Sequence, residues 1–284
     1  MKTWCILDCN YLAYRAWFTT GGLSHGDIHT GVLYGFLREL VQLQDRFLPQ
    51  CFIFCFDVGI PIRKEIYPEY KSGRHQNMSE EDLEGYKLLK KQVKELRKEH
   101  LPALGYGNIF CQKGYEADDC IARVVQSNTR NNLRHIIVSA DHDLYQLLGP
   151  SASLYNPTKK ELITEKTFSE EYGVSPTQWI DVKSIAGCSS DSIRGIQGVG
   201  EKTAAKFIAG KLNGDSKSFQ KIVKGNAIWK GNIPLVQLPY EGLRNFQVNT
   251  NEEVRAVDWE IMMEKLGMKS LKNKSPSNKG FGIR

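Results

Sequence analysis

Five carboxylates, Glu116, Asp118, Asp119, Asp141 and Asp143, fall within 28 residues of this 284-residue chain. The first three belong to Tyr115-Glu116-Ala117-Asp118-Asp119, which reads as the opening turn of a helix over Cys120 to Gln126. The other two follow the apolar run Ile136 to Val138, which reads as a buried strand. Acids in the first turn of a helix are favourable in themselves, by about 0.3–1 kcal/mol each. That accounts for one or two of the five. Carboxylates that converge repel one another unless a hard cation neutralises them, and oxygen-rich sites suit Mg²⁺ or Mn²⁺. The chemistry these residues point to is a polynuclear divalent-metal site.

Positioning such a site requires elements that end together. Thr3 to Leu7 is an apolar run that stops at Asp8, and Cys51 to Phe56 is another that stops at Asp57. Between them Val32, Phe36, Leu40 and Leu43 recur at helical spacing over Gly31 to Leu43, so the segment reads as strand, helix and parallel strand. Arg134 to Ser139, followed by Asp141, repeats the pattern. Ligands bind at the carboxyl ends of strands in open α/β sheets, so Asp8, Asp57 and Asp141 are expected at one edge. A lone Asp after a strand is usually a turn former. Three in step, beside the Glu116 cluster, form a site.

Arg63 to Arg74 reads as a Pro/Gly-punctuated loop with cations and aromatics. A long helix follows, opened by a capping box of Ser79 with Asp82. Its apolar face is Tyr86, Leu89, Val93 and Leu96, and Lys87, Lys90, Lys91, Lys94, Arg97 and Lys98 make the rest basic. Such a helix either faces water or holds a phosphodiester backbone beside the acidic edge. After Pro150, Ser151 to Lys166 reads as a hairpin-like piece, Phe168 to Gly173 as a helix ending at glycine, and Thr177 to Ala186 as a further helix. Gly195, Gly198 and Gly200 then precede a helix carrying Lys202 and Lys206, an arrangement that fits sequence-independent binding of a DNA backbone. It matches neither the dinucleotide fingerprint nor the phosphate loop of nucleotide hydrolases. Residues 215–268 give little beyond helical periodicity around Val254 to Leu266, and the basic tail 269–284 reads as disordered.

A net charge of +6 hints at polyanion binding, and 41% hydrophobic content is ordinary for a globular chain. Seven cysteines without zinc-ribbon spacing read as reduced, mostly buried thiols. With neither a signal segment nor an apolar run of about 20 residues, the expectation is a soluble, cytoplasmic protein without membrane contact.

Together, Asp8 to Arg15, Phe56-Asp57, Pro68 to Arg74, Tyr115 to Asp119, Ser139 to Asp143 and Gly187 to Ala205 resemble the 5′-nuclease family: flap endonucleases, the 5′→3′ exonuclease domain of bacterial DNA polymerase I, and stand-alone phage enzymes. The resemblance implies an α/β fold with a PIN-like parallel-sheet nuclease domain over 1–176, a helical arch at about 70–100, and a helix–three-turn–helix DNA-binding region over 177–268. It implies two Mg²⁺ ions, with Mn²⁺ as substitute. The first would be held by Asp8, Asp57, Glu116 and Asp118 with Asp119 close by, the second by Asp141, Asp143 and Asp191. Lys71 and Arg74 match cations that engage the scissile phosphate, Tyr70 a residue stacking near the reacting nucleotide, and Arg15 a backbone contact. The 195–200 hairpin would hold K⁺ against the duplex. The implied partner is DNA with 5′ flaps, nicks or branches, RNA–DNA primers included, met by a monomer in a bacterial or phage-infected cell. One departure stands out: the family's usual Gly-Asp is Gly187-Cys188 here. Cys188 either joins the second site as a thiol ligand or turns inward as a small hydrophobe. Two other classes compete. A haloacid-dehalogenase-type phosphatase needs a second Asp where Asn10 stands, and a binding protein with an eroded site would hold branched DNA without cutting it.

Overall fold

The computed structural model describes residues 1–76, 78–129 and 132–276. Six strands form the central sheet: β1 (Lys2–Asp8), β2 (Cys51–Cys55), β3 (Ile109–Phe110), β4 (Leu133–Val138), β5 (Ala152–Asn156) and β6 (Glu161–Ile163), in the order β3-β2-β1-β4-β5-β6. Every pairing is parallel except β5 with β6. Helices α1 (Cys9–Thr20), α2 (Gly31–Phe47), α3 (Glu80–Glu95) and α4 (Ala117–Ser127) accompany the first four strands. The remainder of the chain contributes α5 (Glu165–Tyr172), α6 (Trp179–Ala186), α7 (Glu201–Ile208), α8 (Lys217–Lys224), α9 (Asn226–Val236) and α10 (Ala256–Lys265).

β1 is central because its residues are apolar on both sides. Trp4 and Ile6 point into one core with Ile53, Ile137 and helix α4, while Cys5 and Leu7 point into the other with Phe52, Phe54, Phe36 and Leu40. A strand covered on both faces reads as a continuous hydrophobic run, as this one does. The register sets Asp8 beside Cys55 and Leu7 beside Val138, so the acids that follow the three strands emerge at one edge. All seven cysteines are free, and five are buried.

α3 starts at the expected capping box and continues through a widened turn, Leu96–His100. Leu89, Val93 and Tyr86 pack on Ala13, Ala16, Trp17 and Val32, so the helix lies along α1 and α2. Lys87, Lys90, Lys91, Lys94 and Lys98 remain exposed.

The segment after α9 carries structure that periodicity did not reveal. It returns across the sheet domain, where Phe246 stacks on Phe110 at 4.7 Å, Asn249 and Asn108 exchange hydrogen bonds of 2.8 Å, and Trp259 is fully buried under α2. The tail expectation is corrected over 269–276. Lys269–Leu271 form a 3₁₀ turn, and the Leu271 carbonyl accepts the Trp259 indole N–H at 2.7 Å, because Leu271 fills the core beside it. Residues 277–284 lie outside the described residues. Among the described residues no helix is long and apolar enough to cross a membrane.

Candidate metal centre

Each strand end presents its acid by local chemistry. Asp8 caps α1, accepting from the Tyr11 N–H at 3.0 Å and from the Ser139 hydroxyl at 2.9 Å. Asp57 accepts from the Ala117 N–H at 2.7 Å, which ties it to the first turn of α4. Asp141 caps the 3₁₀ turn His142–Leu147 through the Asp143 N–H at 2.8 Å. Asp8 is buried, Asp118 half-buried, and Asp57 and Asp141 are open to solvent, so the group has a floor and a mouth. Burial first, and then the charge of Asp57, pushes Asp8 up to about 7. Asp118 is held well above the usual carboxylate range by burial and by Asp141 and Asp8. Carboxylates raised by buried neighbouring charge in this way are relieved by a cation or by protons, and the donor set fits a hard divalent ion.

A second group lies alongside. Asp143, Cys188 and Asp191 each offer a ligand atom, all within 4.8 Å of one another. Cys188 sits in a two-residue strand paired with Ile193–Arg194, entered through Gly187 at φ +73°, where a side chain would press on Gly195 and Ile193. Its sulfur lies 3.1 Å from the Ser190 hydroxyl, and burial followed by Asp191 and Asp143 raises the thiol's pKa. The sulfur therefore lies beside the acids, while the half-buried side chain also packs against the apolar cluster of Tyr70, Ile193, Leu235 and Val236. Asp143 is pushed up to about 7 by burial and by Asp141.

Cations close the site. Lys71, in the left-handed region at φ +54°, pairs with Glu116 and stands 3.8 Å from Asp191, while Arg74 holds Asp191 at 2.6 Å and the Ser190 carbonyl at 3.1 Å. Lys183 bridges Asp143 at 2.9 Å and Glu201 at 2.8 Å. Burial opposes its charge, but Asp143 and Glu201 hold it protonated.

Three expected roles change. Asp119 is fully buried, and its oxygens accept from Arg63 at 2.7 and 2.8 Å and from the Glu116 and Tyr240 N–H groups, so it has no face toward the carboxylate group. Tyr70 is buried, with its hydroxyl donating to Glu116 at 2.7 Å, which leaves no ring face for a nucleotide. Arg15 is paired with Glu39 at 2.7 Å and with the Pro157 carbonyl at 3.2 Å instead of standing free. Sequence reading missed Arg63, Lys183 and Glu201. Lys183 left one signal, a cation next to the apolar positions Trp179, Val182 and Ile185 of one helix. Arg63, in a loop without periodicity, left none.

The hairpin packs against the C-terminal end of α6, where the Ile196 N–H donates to the Ile185 carbonyl at 2.8 Å. Gly195 approaches so closely that a Cβ would meet the Ala186 carbonyl at 2.0 Å, and Gly198 has φ +78°. Lys202 and Lys206 are exposed, and Lys221 of α8 donates to the Gln197 carbonyl at 3.1 Å. That carbonyl is one to which the resemblance assigns K⁺, so the chain's own ammonium already engages it.

Residues 3–173 match the family described as 5′-3′ exonuclease, N-terminal resolvase-like domain. DNA polymerase I of Mycobacterium leprae is 36% identical over 219 residues, 74% of this chain and 23% of that protein. Thermostable DNA polymerase I of Thermus thermophilus is 32% identical over 226 residues, 78% of this chain and 26% of that protein. The chain thus spans about a quarter of the length of these relatives. The zinc-bound 5′-exonuclease of bacteriophage T5 superposes with a TM-score of 0.72 at 21% identity, covering 96% of this chain and 100% of that one. Human GEN1 in complex with Holliday junction DNA superposes with a TM-score of 0.57 at 16% identity, covering 94% of this chain and 68% of that one. At these identities the structural likeness establishes the α/β fold.

Proposed function

This chain belongs to the 5′-3′ exonuclease family, and we propose that it is a structure-specific 5′→3′ exonuclease and flap endonuclease, hydrolysing phosphodiesters near 5′ ends or junctions in DNA. The observation that carries the reading is the convergence of Asp8, Asp57 and Asp141 from three adjacent parallel strands onto Asp118, close enough that their charges raise the carboxyls of Asp8 and Asp118. Asp8, Asp57, Glu116 and Asp118 would hold one divalent cation, Mg²⁺ or Mn²⁺, and Asp141, Asp143, Asp191 and Cys188 a second. Such a pair, when bound, supplies Lewis-acid activation of water and relief of charge on the phosphate.

The remaining work falls to the chain. Lys71 and Arg74, paired here with Glu116 and Asp191, would face the scissile phosphate, Arg74 through a planar fork and Lys71 as a point charge. The substrates would be 5′ flaps and nicked or branched duplexes, RNA–DNA primers among them, bound by a cytoplasmic monomer in bacterial or phage-infected cells. The units would be the catalytic region 1–176 and the DNA-binding region 177–268. K⁺ at the hairpin would compete with Lys221 for the Gln197 carbonyl.

A 5′-labelled flap incubated with Mg²⁺, Mn²⁺ or EDTA tests the reading. Metal-dependent cutting at the 5′ side is expected, and tight binding in a gel shift without cutting under either metal would instead identify a DNA-structure-binding protein. Lys71→Ala should lower the single-turnover rate by roughly 10²–10³-fold, the size of effect seen when a charge-stabilising donor is removed, with little change in affinity. Equal losses in rate and affinity would make Lys71 a general DNA-binding residue. Gly198→Val forces a branched side chain into a left-handed turn, 3.2 Å from the Lys221 ammonium, and Lys202→Glu reverses an exposed charge. Both should weaken binding on all sequences. Lys202→Glu should also flatten the log–log salt dependence by about 0.9 for each phosphate that is no longer neutralised. Weakening on some sequences alone, or an unchanged salt slope, removes the hairpin from the interface.

A further inference from the structure

Arg63 is 1% exposed and opens the helical turn Arg63–Ile66. A guanidinium has five N–H donors in a fixed plane, and here each has an acceptor. Nε donates to the Leu235 carbonyl at 3.0 Å, and Nη2 donates to Asp119 Oδ1 at 2.8 Å and the Gln237 carbonyl at 3.2 Å. Nη1 donates to Asp119 Oδ2 at 2.7 Å and Glu116 Oε2 at 3.1 Å. Tyr240 covers the guanidinium at 5.0 Å, and its N–H donates to Asp119 at 2.7 Å. Two of the five donors thus hold the last turn of α9 and the residue after it, and a third holds a carboxylate of the acidic group.

The geometry at Glu116 gives this a consequence. Oε2 accepts from both Arg63 and the Tyr70 hydroxyl, so only Oε1 is presented to the site, where Lys71 meets it. Asp119 balances the charge of Arg63, leaving the charge of Glu116 for the cation side. We propose that Arg63 is a positioning residue that fixes Glu116 for the first cation, and that it makes this site conditional on the docking of residues 235–240. The inference rests on the metal-centre reading above. A lysine keeps the charge at 63 but has three donors on one tetrahedral nitrogen, so it cannot hold Asp119, Glu116 and two carbonyls together.

The test uses Arg63→Lys, Tyr240→Leu and the double variant. Tyr240→Leu removes the ring that covers the guanidinium while keeping Arg63 and its five acceptors. Mn²⁺ affinity is measured without DNA by electron paramagnetic resonance, flap affinity in EDTA by anisotropy, and folding by thermal melts. Arg63→Lys is expected to weaken Mn²⁺ binding about tenfold, the lower end of the effect of removing a partner that orients a metal ligand. Flap affinity in EDTA should stay within about twofold, because distant, uncoupled sites behave independently. Tyr240→Leu should weaken Mn²⁺ binding to a smaller degree and add nothing on top of Arg63→Lys, since its ring acts on the site only through the Arg63 guanidinium that it covers. Unchanged Mn²⁺ affinity in a folded variant, additive losses, or a parallel fall in flap affinity would each overturn the proposal. Should Arg63→Lys fail to fold, unchanged Mn²⁺ affinity in Tyr240→Leu overturns it alone and weakened affinity supports it. If the wild type binds Mn²⁺ but cuts no flap, the nuclease reading fails, and the role of Arg63 is still decided by the metal measurement.

Discussion

Asp118→Asn is expected to abolish cleavage while leaving the flap bound, with a single-turnover rate lower by roughly 10³-fold or more, beyond what loss of one charge-stabilising donor costs. Asp118 stands on the first turn of α4, where the charges of Asp8, Asp57 and Asp141 act on its carboxylate. Asparagine keeps its shape and removes the charge that a hard cation needs. The same change relieves repulsion inside the group. The folded-state pKa of Asp118 is raised, so folding favours its protonated form and the stability of the metal-free protein falls as pH rises from the usual carboxylate range toward the raised value. The metal-free variant should therefore melt higher than wild type, by about 2–4 °C for each kcal/mol relieved in a chain of this size. DNA affinity in EDTA should hold or rise, because a negative charge facing phosphate is removed. Normal turnover would remove Asp118 from the first cation site.

The second large effect concerns position 188. The Cys188 thiol faces Asp143 and Asp191, yet burial and those two charges keep it protonated near neutral pH. Mg²⁺ demands oxygen ligands in a near-ideal octahedron and gains little from a thiol, whereas Mn²⁺, Co²⁺ and Zn²⁺ tolerate softer donors. Wild-type protein should accordingly need high Mg²⁺ or prefer Mn²⁺. Cys188→Asp should lower the half-saturating Mg²⁺ concentration by about tenfold, the scale on which a change at a metal site alters affinity, and leave flap binding in EDTA unaltered. Identical Mg²⁺ curves for the two proteins would show that residue 188 takes no part in binding the ion.

Much of the site is legible without coordinates because its acids are written by local rules. Asp8, Asp57 and Asp141 each follow an apolar run that only a strand buried on both faces requires, and parallel pairing then brings their ends to one edge. Ser79 and Asp82 box the start of α3 as their spacing predicts, and Gly198 adopts the left-handed turn that its residue type permits. The α/β class, the sheet edge and the glycine hairpin all follow from patterns a few residues long.

What only the tertiary structure decided depends on partners remote in the chain. Glu116 and Asp119 look alike in sequence, three residues apart on one helical turn. Arg63, more than 50 residues earlier, takes both oxygens of Asp119 but only one of Glu116, leaving Glu116 Oε1 to face the site and Lys71. Tyr70 reads as a surface aromatic until Ile193, Leu235 and Val236 enclose it. Cys188 had two readings in sequence, and the pairing with Ile193 and Arg194 sets it between the acids and the apolar cluster around Tyr70. Residues 237–255 have no periodicity to read, because their hydrogen bonds go to side chains and loops of the sheet domain and not to neighbours in sequence. A pattern within a window records only interactions made within that window, and the assignment of these charges was made across the whole fold.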